Sequence, residues 1–131
     1  MNAPALSEQQ IEAVVSAFYT RVRQDGLLGP VFNDAIDDWP EHLVKLQAFW
    51  SSVMLGTGRY KGRPMPAHVR HADRITPESF ERWLTLWRET TTDLLPPLAA
   101  AALQDKAARI AESLSLGIQF YRDRSPVSAE L

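Results

Sequence analysis

The stretch WPEHLVKLQAFWSSVM, residues 39–54, decides how the chain is read. Pro40 stands in the first turn of a helix, where its missing N–H costs nothing. His42, Leu46, Phe49, Trp50 and Val53 come at helical spacings and share one face, which Leu43 and Met54 widen. That face carries a histidine among two large aromatics. Two arrangements satisfy the pattern: an ordinary core helix with one polar group, or one wall of a pocket for a large flat ligand.

On the N-terminal side, Ser7 and Gln10 form a capping-box pair that starts a helix running to about Gln24. Ile11, Val14, Val15, Phe18 and Val22 are its buried stripe. Tyr19, four residues after Val15, points inward with a hydroxyl in need of a partner. Asp25-Gly26 ends this helix and Gly29-Pro30 punctuates the next segment, with Leu27, Leu28, Val31 and Phe32 anchoring a short turn or helix. On the C-terminal side, residues 56–67 (GTGRYKGRPMPA) read as an ordered loop held to the body by Tyr60 and Met65, and a short helix spans His68 to Ala72. Thr76-Pro77 starts a helix to about residue 95 with Phe80, Trp83, Leu84, Trp87 and Leu94 as its stripe. Pro96-Pro97 breaks it. The last helix runs from about 98 to 122, with Leu103, Ala107, Ile110, Ala111, Leu114, Ile118 and Tyr121 along one side. No segment alternates like a strand. The expected architecture is all-α, with four substantial helices plus short ones. It forms one domain over 1–131 with loose termini at about 1–6 and 123–131.

Composition narrows the function. Hydrophobic residues make up 45% of the chain, which suits a globular domain. Fourteen Lys and Arg against 16 Asp and Glu give a charge of -2, with no general pull toward nucleic acid or an anionic membrane. No apolar run reaches the length of a membrane span, and MNAPALSEQQ lacks the basic-then-apolar pattern of a secretory signal. The expectation is a cytoplasmic protein. The absence of cysteine excludes disulfides, thiol catalysis, iron–sulfur ligation and covalent haem attachment.

The candidate ligating groups are His42, His68 and His71. A zinc site made by protein alone wants three or four ligands, and no HExxH is present. His68 and His71 share a helical face with Asp73 nearby, but Ala72 stands where metal hydrolases commonly place half of an adjacent His-Asp pair. The four tryptophans fill either a plain core or the walls of a porphyrin slot. A porphyrin needs one axial imidazole, apolar contacts on both faces and polar or cationic groups near its carboxylates. His68 would supply the first, and His42 and Tyr19 the polar groups opposite. Lys45, Tyr60, Lys61, Arg63, Arg70 and Arg74 flank that region, as carboxylate partners or as a solvated rim.

An ordered set of segments carries a family resemblance: FYTRVRQDGLLGPVF at 18–32, WPEHLVKLQAFWSSVMLGTGRYKGRP at 39–64, the His68 segment, FERWLTLW at 80–87, and more weakly ARIAESLSLGIQFY. From about Leu6 to Tyr121 the chain resembles the third group of the truncated haemoglobins. The resemblance implies a two-over-two helical sandwich around non-covalent haem b. It implies that His68 is the proximal ligand and the one protein bond to the metal. Tyr19, His42 and Trp83 are then the polar distal residues, Phe32 wedges against the ring, and Phe18, Phe49 and Trp50 are aromatic walls, with Tyr60 at the cofactor's edge. His71 falls near the haem edge or solvent. His42 either guards the distal side, swings out, or ligates the metal when no gas is present. The implied function is reversible binding of dioxygen, with nitric oxide and carbon monoxide as further ligands, by a monomer. An alternative is a haem enzyme for nitric oxide detoxification or peroxidase-like chemistry, which would call for an external reductase. A third reading is a cofactor-free helical interaction module.

Overall fold

The computed structural model describes residues 6–123, apart from the side chain of Ala67. Six helices succeed one another: α1 (Glu8–Gln24), α2 (Leu28–Ala35), α3 (Trp39–Leu55), α4 (Pro64–Val69), α5 (Pro77–Leu94) and α6 (Pro97–Asp123). No strand occurs among the described residues. Local chemistry explains most of the boundaries. The Ser7 side chain accepts from the Gln10 backbone at 3.1 Å, and the Gln10 side chain accepts from the Ser7 N–H at 2.9 Å. Thr76 and Ser79 make the same reciprocal pair at α5, with Pro77 in its first turn. Asp38 caps α3 through the Glu41 N–H, ahead of Pro40. Gly56 ends α3 at φ 71°, a left-handed conformation that glycine adopts without strain.

Two pairs of long helices are stacked. α3 leans on α1, α6 packs on α5, and α1 crosses α5 to join the pairs. The core lies at that crossing. Phe18, Val22, Trp50, Trp87 and Leu103 are buried there, and Ala99, Ala100, Ala107 and Ala111 let α6 approach closely. The Trp87 indole N–H donates to the Leu103 carbonyl at 3.1 Å, and Thr90 and Thr91 return their hydroxyls to carbonyls one turn earlier in α5. No buried side-chain polar atom among the described residues lacks a hydrogen-bond partner.

The structure corrects four sequence expectations. The loop ends at residue 63, and α4 begins at Pro64, four residues before the expected start. Pro64 and Pro66 occupy its first turn, where the missing N–H groups are not needed, so residues that read as breakers open a helix. Val53 is 36% exposed and Leu94 47%, so neither belongs to its buried stripe. Leu95, in an extended conformation past the end of α5, is buried instead. Tyr121 is half exposed on α6. At the chain ends, Leu6 packs on the core and Asp123 closes α6. The remainder of the expected loose termini, 1–5 and 124–131, lies outside the described residues.

Candidate functional site

The apolar face of α3 is not fully covered. Trp39, Trp50 and Ser51 are buried, whereas His42, Leu43, Leu46, Phe49 and Met54 are half-buried. α4 packs on α6 and does not pack closely on α3. The half-covered residues of α3 include His42, which feels the charge of His68 on α4.

Tyr19 comes from α1 and is 4% exposed. Burial pushes its phenol up to about 12, although a hydrogen bond from the Trp83 side chain acts in the opposite direction. An indole can act on a phenol oxygen only as a donor, so the influence of Trp83 is that of an N–H directed toward Tyr19, which leaves the Tyr19 O–H proton to donate elsewhere. Phe18 stands edge-on to Tyr19 and Trp83, with ring centroids at 4.6 and 5.7 Å, and fixes both. Phe32 of α2 closes on Tyr19 at 5.9 Å.

His42 does not meet Tyr19 directly. Trp39 lies between them, 6.0 Å from each ring. Trp39 is itself held by its N–H bond to Asn33 at 3.2 Å and by the Arg23 guanidinium 4.6 Å over its ring. His42 is held below the usual imidazole range, chiefly by burial and then by the Lys45 charge, with Glu41 opposing and His68 contributing in the same direction as Lys45. The two imidazoles, from α3 and α4, thus lie within electrostatic reach of each other.

His68 Nδ1 sits 2.8 Å from the Pro64 carbonyl oxygen in its own helix. A carbonyl only accepts, so Nδ1 carries the proton and the Nε2 lone pair is free to ligate. Burial lowers the imidazole's affinity for a second proton, with the Pro64 bond opposing and His71 adding to the effect. The ring is therefore kept neutral, the ligating form. No group of three or more His, Asp or Glu side chains among the described residues is arranged to hold a metal ion. A single poised imidazole beside a large, half-covered apolar face suits a metal that brings its own equatorial ligands, as a porphyrin iron does.

The remaining candidates fall behind this arrangement or at its edge. Phe18 and Trp50 are buried in the core, and Trp50 stacks on Trp87 at 4.5 Å. Phe49 is half-buried and edge-on to Tyr60 at 5.3 Å. Tyr60 is held by its backbone N–H bond to Ser52 Oγ at 2.8 Å, and burial raises its phenol. Among the rim cations, Arg74 pairs with Asp34 at 2.8 Å and Lys45 reaches Glu41 at 4.0 Å. In the sequence Trp39 reads only as a helix opener; its edge contacts depend on α1 and α2, which no local pattern reveals. The Pro64 carbonyl does have a sequence signal, since it lies four residues before His68, one turn back in a helix.

Comparison with known proteins fits this geometry. A family profile described as bacterial-like globin matches residues 6–113. A group 3 truncated haemoglobin of Campylobacter jejuni is 36% identical over 94 residues, 69% of this chain and 73% of that protein. The crystal structure of a group III truncated haemoglobin from Campylobacter jejuni superposes with a TM-score of 0.74 at 33% identity, over 87% of this chain and 92% of that one. The stacked pairs α1/α3 and α5/α6 are the two-over-two sandwich of that architecture. The chain belongs to the bacterial-like globins and, within them, to the group III truncated haemoglobins.

Proposed function

We propose that the chain holds haem b without a covalent link, through His68 Nε2, and binds diatomic ligands reversibly on the side of Tyr19, His42 and Trp83. When bound, the haem supplies a ferrous centre with one position open to dioxygen, nitric oxide or carbon monoxide. The observation that carries the reading is the His68 ring, protonated at Nδ1 by its bond to Pro64 and kept neutral by burial. Phe32, Leu43, Leu46 and Phe49 offer the half-covered apolar surface that a porphyrin would complete, with Tyr60 at one edge.

Each residue contributes a separate physical effect. Tyr19 stays protonated throughout the physiological range and offers its O–H to a ligand oxygen that carries partial negative charge. Trp83 orients and polarises that hydroxyl. His42, half-buried and held below the usual imidazole range, takes the role of a neutral distal-side guard. The apolar surround limits water, which would otherwise promote oxidation of the metal. Familial likeness to a truncated haemoglobin supports the assignment.

Titration of the protein with haemin, followed by reduction and carbon monoxide, tests it. One equivalent of haem should give a saturable Soret band that shifts on carbonylation. A flat titration, with only the spectrum of free haemin, would support the cofactor-free interaction module instead. A second reading is a haem enzyme that consumes nitric oxide or peroxide with an external reductant, in which Tyr19 would act as a hydrogen-bond donor and not as a proton source. Steady-state consumption of either substrate with an external reductant separates enzyme from carrier.

A further inference from the structure

The last part of α6 bears on α4. Gly117 faces Met65, and a Cβ at position 117 would overlap the methionine sulfur and its terminal methyl. Farther along, Arg122 Nη2 donates to the carbonyl oxygens of Ala72 and Ile75, the latter at 2.8 Å. Those carbonyls belong to the turn that leaves α4. The turn is tied to the histidine helix by His71 N–H to the His68 carbonyl at 3.0 Å and Ala72 N–H to the Val69 carbonyl at 3.1 Å. On its other side Arg74 reaches Asp34, one residue before the end of α2.

α4 has only six residues, too few to hold its own geometry in water. Its orientation must come from outside. A guanidinium presents its donors in a fixed plane and can fix two acceptors relative to each other, which a flexible lysine ammonium does less well. We propose that Arg122, with the Gly117 gap that seats Met65, is a positioning device for His68. It sets the tilt of α4, and hence the direction of Nε2, through backbone carbonyls. The inference rests on the reading of His68 as the haem ligand, but the contacts themselves do not involve the cofactor.

Arg122→Gln, Arg122→Lys and Gly117→Ala test it on the full chain, with and without haem. In the haem-free protein, Arg122→Gln should accelerate amide exchange over residues 69–75 about tenfold and leave α1 and α5 near wild type. In the haem-loaded ferrous protein, the iron–histidine stretching band should shift or broaden, and haem transfer to excess apomyoglobin should quicken about tenfold. Arg122→Lys should fall between Gln and wild type. Gly117→Ala should perturb the same band from the N-terminal end of α4, where Met65 sits. An unchanged band and unchanged local exchange in Arg122→Gln would overturn the proposal, as would exchange that rises equally across α1 and α5, which marks a general structural role. A wild-type protein without the band would refute His68 as ligand, while the exchange comparison would still decide whether Arg122 holds the turn.

Discussion

The Tyr19 hydroxyl shows how one residue gains a role from its surroundings. Its position beside Phe18 and four residues after Val15 is enough to predict that it points inward. Residue spacing does not reveal its partner, which only the family resemblance groups with it, because Trp83 lies on α5 and meets it only when α1 crosses α5. A hydrogen bond to a charged or partly charged acceptor contributes about 1.5–3 kcal/mol. Tyr19→Phe should therefore raise the dioxygen dissociation rate of the haem-loaded protein by at least about tenfold in stopped-flow measurement. Trp83→Phe should raise it less, because the Tyr19 proton survives and only its orientation weakens. Equal rates in wild type and Tyr19→Phe would remove Tyr19 from the distal site.

At the scale of the element, the helices with side-chain caps are the most legible. Ser7 with Gln10 and Thr76 with Ser79 close reciprocal bonds where the sequence places cap residues. Thr76→Ala should lower stability by about 1 kcal/mol in urea denaturation, with the m-value unchanged. α4 is legible only in part. Its histidine stands out, but prolines in a first turn and prolines in a loop look alike without knowledge of the chain's path. α3 is legible in type and not in burial. Its apolar spacing leaves a plain core stripe and a pocket wall both open, and His42, Leu43, Leu46, Phe49 and Met54 are half-buried while Trp50 is buried and Val53 exposed. The even apolar pattern reports what the face can contact and not whether protein or ligand covers it.

At the scale of the whole molecule, the aromatic core and the histidines make different predictions. Trp87 is 1% exposed, stacks between Trp50 and Trp83, and bonds Leu103 across to α6. Trp87→Ala should cost about 3–5 kcal/mol, seen as a large loss in urea midpoint. In the haem-free protein, burial holds both His42 and His68 below their unfolded value, assisted by Lys45 for His42 and by His71 for His68. The folded chain then binds fewer protons than the unfolded chain at mildly acid pH. Stability is therefore full above about 6.5 and falls as pH drops below it. The urea midpoint should be lower at pH 5.5 than at pH 7.5, and His42→Gln should narrow that difference. Asp25 acts in a more acidic window. Burial opposes its ionisation, but the Leu28 N–H, the Arg82 guanidinium and the Leu27 N–H together hold its carboxyl below the usual range. Its contribution is present above the unfolded carboxylate value and is lost as pH falls through the folded one.

Haem retention and ligand binding both depend on His68 Nε2, so the most direct measurement is the ferrous iron–histidine vibration in wild type and His68→Gly loaded with haem. The wild type should show the band. His68→Gly should lose it and release haem readily, and added imidazole should restore an iron–nitrogen band by entering the vacated position. The same band in wild type and in His68→Gly without imidazole would contradict the assignment and place the metal on another residue.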